Sequence, residues 1–373
     1  MFDSCLSLEK IDLSNWDTKN VKNVKYMFKF CSWLTSINLN NFNTKNILST
    51  SGFFASCSGL TEIDISNFNL GKNKDMSKMF SGCRALTKIN FGNINTENVE
   101  NMTSLFDGCN MLTSSDLISF NTENVLDMSN MFQDCTALKD INLKSFNTNK
   151  VQTMARMFES CTSLTSLDIT NFDTSQVKDM SQMFEFCKLT SLDISKFDTK
   201  NVIYMLDMFA DMVNIKSLDV SNFKTSNVKD MAGMFYACNE LTTLDVSNFD
   251  TNNVEDFSFQ FYGCKKVSSL DVSKFITNKS NDMSFMFRDC RIIKNLDLKL
   301  FDTSKVTDMS NMFQGCENLV SLDVSNFITD QVTSMSNMFS NCVNIKSLNL
   351  TNFNTDKVTD MSYMFQNCRQ LIY

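Results

Sequence analysis

Histidine and proline are both absent from this 373-residue sequence. Without histidine there is no imidazole general base, no Ser-His or Cys-His pairing and no histidine metal ligand, which removes the commonest routes to hydrolytic and zinc chemistry. Without proline no backbone donor is lost, so nothing interrupts a long ladder of backbone hydrogen bonds. Runs of lysine or arginine are missing too: 34 basic residues face 42 acidic ones, and a net charge of -8 has the wrong sign for a nucleic-acid groove. No nucleic-acid partner is expected. No apolar stretch is long enough to enter a membrane, and the opening MFDSCLSLEK has neither the basic start nor the apolar run of a signal peptide. Gly-rich phosphate loops, metal-spaced clusters and nucleophile motifs do not occur either, so no enzyme and no cofactor are expected.

What the chain does have is repetition. Phenylalanine recurs at 2, 28, 54, 80, 106, 132, 158, 184, 209, 235, 261, 287, 313, 339 and 365, a step of 26 broken only by the 25 between Phe184 and Phe209, where one residue is missing between Cys187 and Leu189. Sustained self-similarity at this period marks a solenoid, whose units bury their apolar face against their neighbours. All 14 cysteines fall in one repeat column. Stacked a few ångströms apart with parallel side chains, they have no unique disulfide partner and read as small buried apolar residues. The sequence is expected to form a single solenoid over residues 1–373. It begins and stops inside a repeat with no capping sequence, so a segment of a longer protein, uncapped at both ends, is the expectation.

One repeat shows the expected coil. In Leu164-Thr-Ser-Leu167-Asp168-Ile169-Thr170, Leu167 and Ile169 alternate with polar residues in the period of a half-buried strand. Beyond the turn, Val177, Met180, Met183, Phe184 and Cys187 are three or four apart, the spacing of one buried helical face, with Asp179 placed to cap its first turn. The pattern predicts an α/β repeat solenoid of about fourteen rungs, each a short parallel β-strand, a turn and a short helix. Thr follows the turn in thirteen of fourteen repeats, Leu70 being the exception, and reads as a hydroxyl ladder serving turn backbone groups.

The run LxxLDVSNFDTSxVTDMSxMFxxC, carried with substitutions by Leu319 to Cys342, resembles the BspA-like leucine-rich repeats and the repeats of mycoplasma lipoproteins over the whole chain. The resemblance implies a leucine-rich-repeat-like fold, a cell-surface or extracellular location, and a role in adhesion to host matrix or to other cells. Phe or Trp stands where that repeat type closes its strand with Asn, so an asparagine ladder is not carried over. Cys5 belongs to the core column and does not match a lipid-attachment site.

Two columns are candidates for function. The outward strand position is Asp in ten repeats and Asn in four, with Asp168, Asp193, Asp219, Asp245, Asp271, Asp297 and Asp323 consecutive. Like charges roughly 5 Å apart cost about 1 kcal/mol per pair in water. Hydrogen bonds to Ser, Thr and backbone of the next rung, or a ladder of cations such as Ca²⁺, would offset this. On the other side, the residues just before Met and just after Phe of each Met-Phe pair are mostly polar, yet Tyr236, Phe259, Tyr262 and Phe285 place four aromatics there in three successive repeats. These are the partner-binding candidates. Their alternative is structural: Gln260 replaces Met in the middle repeat, and a rotated helix would turn Phe259 inward.

The sequence thus points to a non-catalytic surface solenoid that binds a protein or glycan on a host or neighbouring cell. Its rivals are a structural protein that self-associates through its open ends into filaments, and an intracellular interaction scaffold.

Overall fold

The computed structural model describes residues 1–372, the side chains at 115 and 116 excepted. It resolves into two compact units, Met1–Val177 with Phe186–Lys196, and Lys178–Glu185 with Phe197–Tyr373.

In the first unit the strand half of the repeat forms β1 (Lys10–Asp12), β2 (Ser36–Asn38), β3 (Glu62–Asp64), β4 (Lys88–Asn90), β5 (Ser114–Asp116) and β6 (Asp140–Asn142). They are three residues long, shorter than the alternation predicts, and pair in parallel with a register of one repeat, as in Ile63 opposite Ile89. In the second unit the same positions alternate outward and inward without a named strand. Single parallel bridges at the position before the first Met run in both units, from Asn23–Ser49 to Asp127–Thr153 in the first and from Asp179–Tyr204 through Asp230–Asp256 to Ser334–Asp360 in the second, where Ser217–Thr243 bridges the strand half.

The predicted helix is the main correction: no segment among the described residues is α-helical. The Met-x-x-Met-Phe-x-x-Cys corner is a run of tight turns in which alternate amides leave the coil. Phe259, Phe261 and Gly263 donate to the carbonyls of Ser284, Met286 and Arg288 in the next coil, at 3.0, 2.9 and 2.8 Å. Between them, Tyr262 and Cys264 close turns onto Phe259 and Phe261. A helix would spend every one of these donors within its own coil. The alternation needs left-handed backbone twice per repeat, before the second Met and before the Cys, as at Phe259 (φ 57) and Gly263 (φ 74). That conformation costs about 1–2 kcal/mol for an ordinary residue and little for Gly, and Asn and Asp also enter it readily. Gly82, Gly108, Gly263 and Gly315 before Cys, and Asn130, Asn311 and Asn337 before Met, are therefore the sequence signal for these corners.

The core is a set of columns. The Phe rings stack in offset parallel pairs, 5.1–5.9 Å between centroids from Phe2 to Phe158 in the first unit, with Phe106 and Phe132 at 5.5 Å. They stack at 5.6–5.9 Å in the second, from Phe184 to Phe365. Each fully buried ring contributes about 1.5–3 kcal/mol relative to exposure. The cysteines are unpaired, and each interior thiol donates to the Phe carbonyl of the preceding coil, as Cys57 does to Phe28 at 3.1 Å. Burial pushes the Cys83 thiol up to about 12. The Thr ladder staples coils in both directions: Thr122 Oγ1 donates to the Asn147 carbonyl (2.9 Å) and accepts the Asn147 amide (2.8 Å). At the one-residue deletion Leu189 stays fully buried, and the cost is a stretched bond, Thr190 N to Thr165 O at 3.5 Å.

Candidate functional site

The outward Asp column finds its hydrogen-bond donors locally. Asp168 Oδ1 accepts the Thr170 hydroxyl (2.8 Å) and amide (3.3 Å), Asp193 accepts both from Ser195 (2.7 and 3.0 Å), and the Ser amides after Asp219, Asp245, Asp271 and Asp323 repeat the bond at 3.0 Å. At Asp297 the donors are the Lys299 amide (3.2 Å) and its ammonium group (3.0 Å). These are Asx turns with donors two residues on in the same coil, and not the bonds to the next rung that the column suggests. The carboxyls of Asp168, Asp193, Asp219, Asp245, Asp271 and Asp323 lie below the usual range, held there first by the neighbouring hydroxyl and then by the amide. Among the described residues, no three His, Cys, Asp or Glu side chains are grouped to hold a metal ion.

The four aromatic candidates come together in the second unit. Tyr236 stacks on Tyr262 (centroids 4.8 Å apart, 11° between planes) and Phe259 on Phe285 (4.5 Å, 8°). Edge and tilted contacts of 6.0–6.4 Å join the pairs into one cluster. All four rings are half-buried. Phe259 does not turn inward: its left-handed backbone points it out, Gln260 takes the core position, and Phe257, fully buried, fills the space a Met would occupy. The cost is visible, because both amide atoms of buried Gln260 lack a hydrogen-bond partner; one such orphan costs about 1–3 kcal/mol.

Several features of this face escaped the sequence reading. Arg288 continues the Tyr236–Tyr262 column and lies over two rings, its Cζ 5.2 Å from the Tyr262 centroid and 5.4 Å from that of Phe285. Its buried Nε makes no hydrogen bond. Beside it is a cleft of about 280 Å³ bordered by Arg288, Asp289, Arg291, Gln314 and Asn341. At the other end of the cluster are Asp207 and Asp211, both of which push the Tyr236 hydroxyl up, after burial and Tyr262. In the repeat alignment Asp207 shares the column of Phe259 and Phe285, and Arg288 that of Tyr236 and Tyr262, while Asp211 falls in the column of Ala237 and Gly263. The first unit carries a smaller exposed group, Tyr26, Phe30 and Trp33, with Lys29 Nζ 5.1 Å from the Tyr26 centroid and 4.7 Å from that of Phe30.

The profile of a family described as "Mycoplasma protein of unknown function, DUF285" matches the sequence in overlapping blocks, residues 1–112, 75–185, 163–275, 214–316 and 281–372. No curated protein matches it. Among solved structures, a leucine-rich repeat protein from Bacteroides ovatus is 13% identical, with 96% of this chain and 84% of that one covered and a TM-score of 0.41. A leucine-rich cell surface protein from Faecalibacterium prausnitzii is 16% identical, with 93% and 74% covered and a TM-score of 0.34. An internalin from Listeria monocytogenes is 17% identical, with 92% and 87% covered and a TM-score of 0.23.

Proposed function

The chain belongs to the DUF285 family, whose matched blocks span it from residue 1 to residue 372, and on that premise we propose that it is a non-catalytic surface protein that binds a protein or glycan partner. The contiguous, half-buried cluster of Tyr236, Phe259, Tyr262 and Phe285 carries the reading. Contiguous aromatic surface is costly to leave in water and concentrates binding energy in the interfaces that use it. Arg288 adds a cation that already rests on the rings. The absence of histidine and the engagement of the Asp column in its own turns support a binding role over a catalytic one.

Beads coated with the chain provide the test, applied to cell monolayers and to surfaces bearing fibronectin, collagen or mucin. Tyr236→Ser with Tyr262→Ser is expected to cut retention at least ~10-fold while the melting temperature moves by only about 2 °C. Unchanged adhesion would remove the cluster from the binding surface. A fall of ~10 °C would show instead that the two rings serve the core.

A further inference from the structure

The cluster has a polarity along its column. In four successive coils of the second unit the face runs from Asp207 and Asp211, through Tyr236 and then Phe259 with Tyr262, to Phe285 with Arg288 and Arg291. Asp207 lies against Gly233 of the next coil, its carboxyl filling the space that a Cβ there would take. Asp211 is half-buried, and its carboxyl is pushed up by that burial. At the far end Arg291 Nε and Nη2 both donate to Asp289 Oδ1 at 3.4 Å and Nε stands 3.7 Å from Glu317, yet the side chain stays 47% exposed. Arg288 reaches Asp289 only at 3.9 Å.

A surface that is acidic at one end, aromatic in the middle and basic at the other is its own complement after a half-turn, which is the condition for an isologous contact. We propose that the occupant of this face is a second copy of the same chain, packed antiparallel about a two-fold axis passing between Tyr236 and Tyr262. Asp207 and Asp211 of each copy then meet Arg288 and Arg291 of the other, and the two tyrosine–phenylalanine sets close on each other. The order of the rings favours a protein surface over a sugar. Tyr262 has Tyr236 on one face and Arg288 on the other, and Phe259 is stacked on Phe285. The cluster therefore offers mainly ring edges, while carbohydrate packs on ring faces. Four coils at roughly 5 Å each give a contact smaller than the ~800 Å² per partner of a stable dimer, so the pairing is weak, with a dissociation constant in the micromolar range or above. Many copies on one surface would strengthen it by multivalency.

The inference rests on reading the cluster as a contact surface, and sedimentation velocity of the full chain from about 1 to 500 µM separates the two. Wild type is expected to shift reversibly from monomer to dimer. Asp207→Lys with Asp211→Lys, and separately Arg288→Glu with Arg291→Glu, should each weaken the dimer at least ~30-fold by setting like charges opposite one another. An equimolar mixture of the two variants should dimerise again, since one contact is then native and the other charge-inverted; a folding defect would not be rescued by mixing. A wild type that stays monomeric while bead adhesion remains tyrosine-dependent overturns the second copy as occupant and assigns the face to a foreign partner. Dimerisation that survives both charge variants and the double tyrosine variant overturns the proposed contact as well. Loss of both self-association and tyrosine-dependent adhesion would overturn the inference and the contact surface together.

Discussion

At the scale of single residues, the same side chain has opposite electrostatic standing in the two Asp columns. Asp168 and its counterparts on the strand face accept hydroxyl and amide donors at the surface, which lowers their carboxyls. Their contribution to stability is present above the unfolded value of 3.8 and is lost as the pH falls through the lower folded value. Asp230 and Asp282, in the bridge column of the second unit, are raised instead, first by burial and then by neighbouring carboxylates such as Asp256. A raised carboxyl is a cost at neutral pH that disappears as the pH drops through the folded value toward 3.8. Asp230→Asn keeps the Oδ1 that accepts the Ala232 amide at 3.0 Å. The same column already uses Asn101 in this way, accepting the Thr103 amide at 2.9 Å. The variant is expected to melt about 1–2 °C higher than wild type at pH 7, a small gain because the site is partly solvated, and to lose that advantage near pH 4. A lower melting temperature at pH 7 would mean that the ionised carboxylate stabilises the ladder after all.

At the scale of the element, the corner decides what the repeat can be. Gly108 (φ 69) and Gly82 (φ 74) are both left-handed, but a Cβ at Gly108 would meet only Gly82 backbone at 3.5 Å, while one at Gly82 would lie 3.0 Å from Ser56 Oγ and 3.3 Å from Ser56 Cα. Gly108→Ala is therefore expected to cost about 1 kcal/mol, for conformation alone. Gly82→Ala should cost more, roughly 2 kcal/mol, because the coil above must shift as well; chemical denaturation measures both, and equal costs would contradict the steric part. These corners also show where the sequence was legible. The period, the inward columns and the grouping of Tyr236, Phe259, Tyr262 and Phe285 followed from aligning the repeats, because column identity does not depend on the backbone between columns. The helix did not follow, since apolar residues three and four apart satisfy a chain of tight turns as well as a helical face. The distinguishing residues were the Gly, Asn, Asp and Ser before Met and before Cys, and that signal belongs to positive φ and has no hydrophobic period. Arg288 was missed because one cation in a polar column has no meaning until its two ring contacts are known.

At the scale of the whole molecule, the excess of 42 acidic over 34 basic residues is distributed in stacks, so self-repulsion acts along columns and not as a diffuse net charge. Asx turns hold each strand-face carboxylate in place but do not neutralise it, and neighbouring members still raise one another, as Asp219 and Asp271 do Asp245. Screening should therefore stabilise the fold. Raising NaCl from 10 to 300 mM shortens the Debye length from about 30 Å to less than 10 Å, which still exceeds the roughly 5 Å between coils, so the expected rise in melting temperature is only a few degrees. Calcium separates screening from binding. A carboxylate held by local donors gains no more from Ca²⁺ than the ionic strength confers, whereas two adjacent Asp side chains sharing a cation would gain additional binding free energy that grows with ligand concentration. Melting temperatures in 1 mM CaCl₂ and in EDTA, at matched ionic strength, are accordingly expected to coincide. A rise that continues with the logarithm of the Ca²⁺ concentration, and disappears in Asp245→Asn with Asp271→Asn, would establish a cation ladder on the strand face.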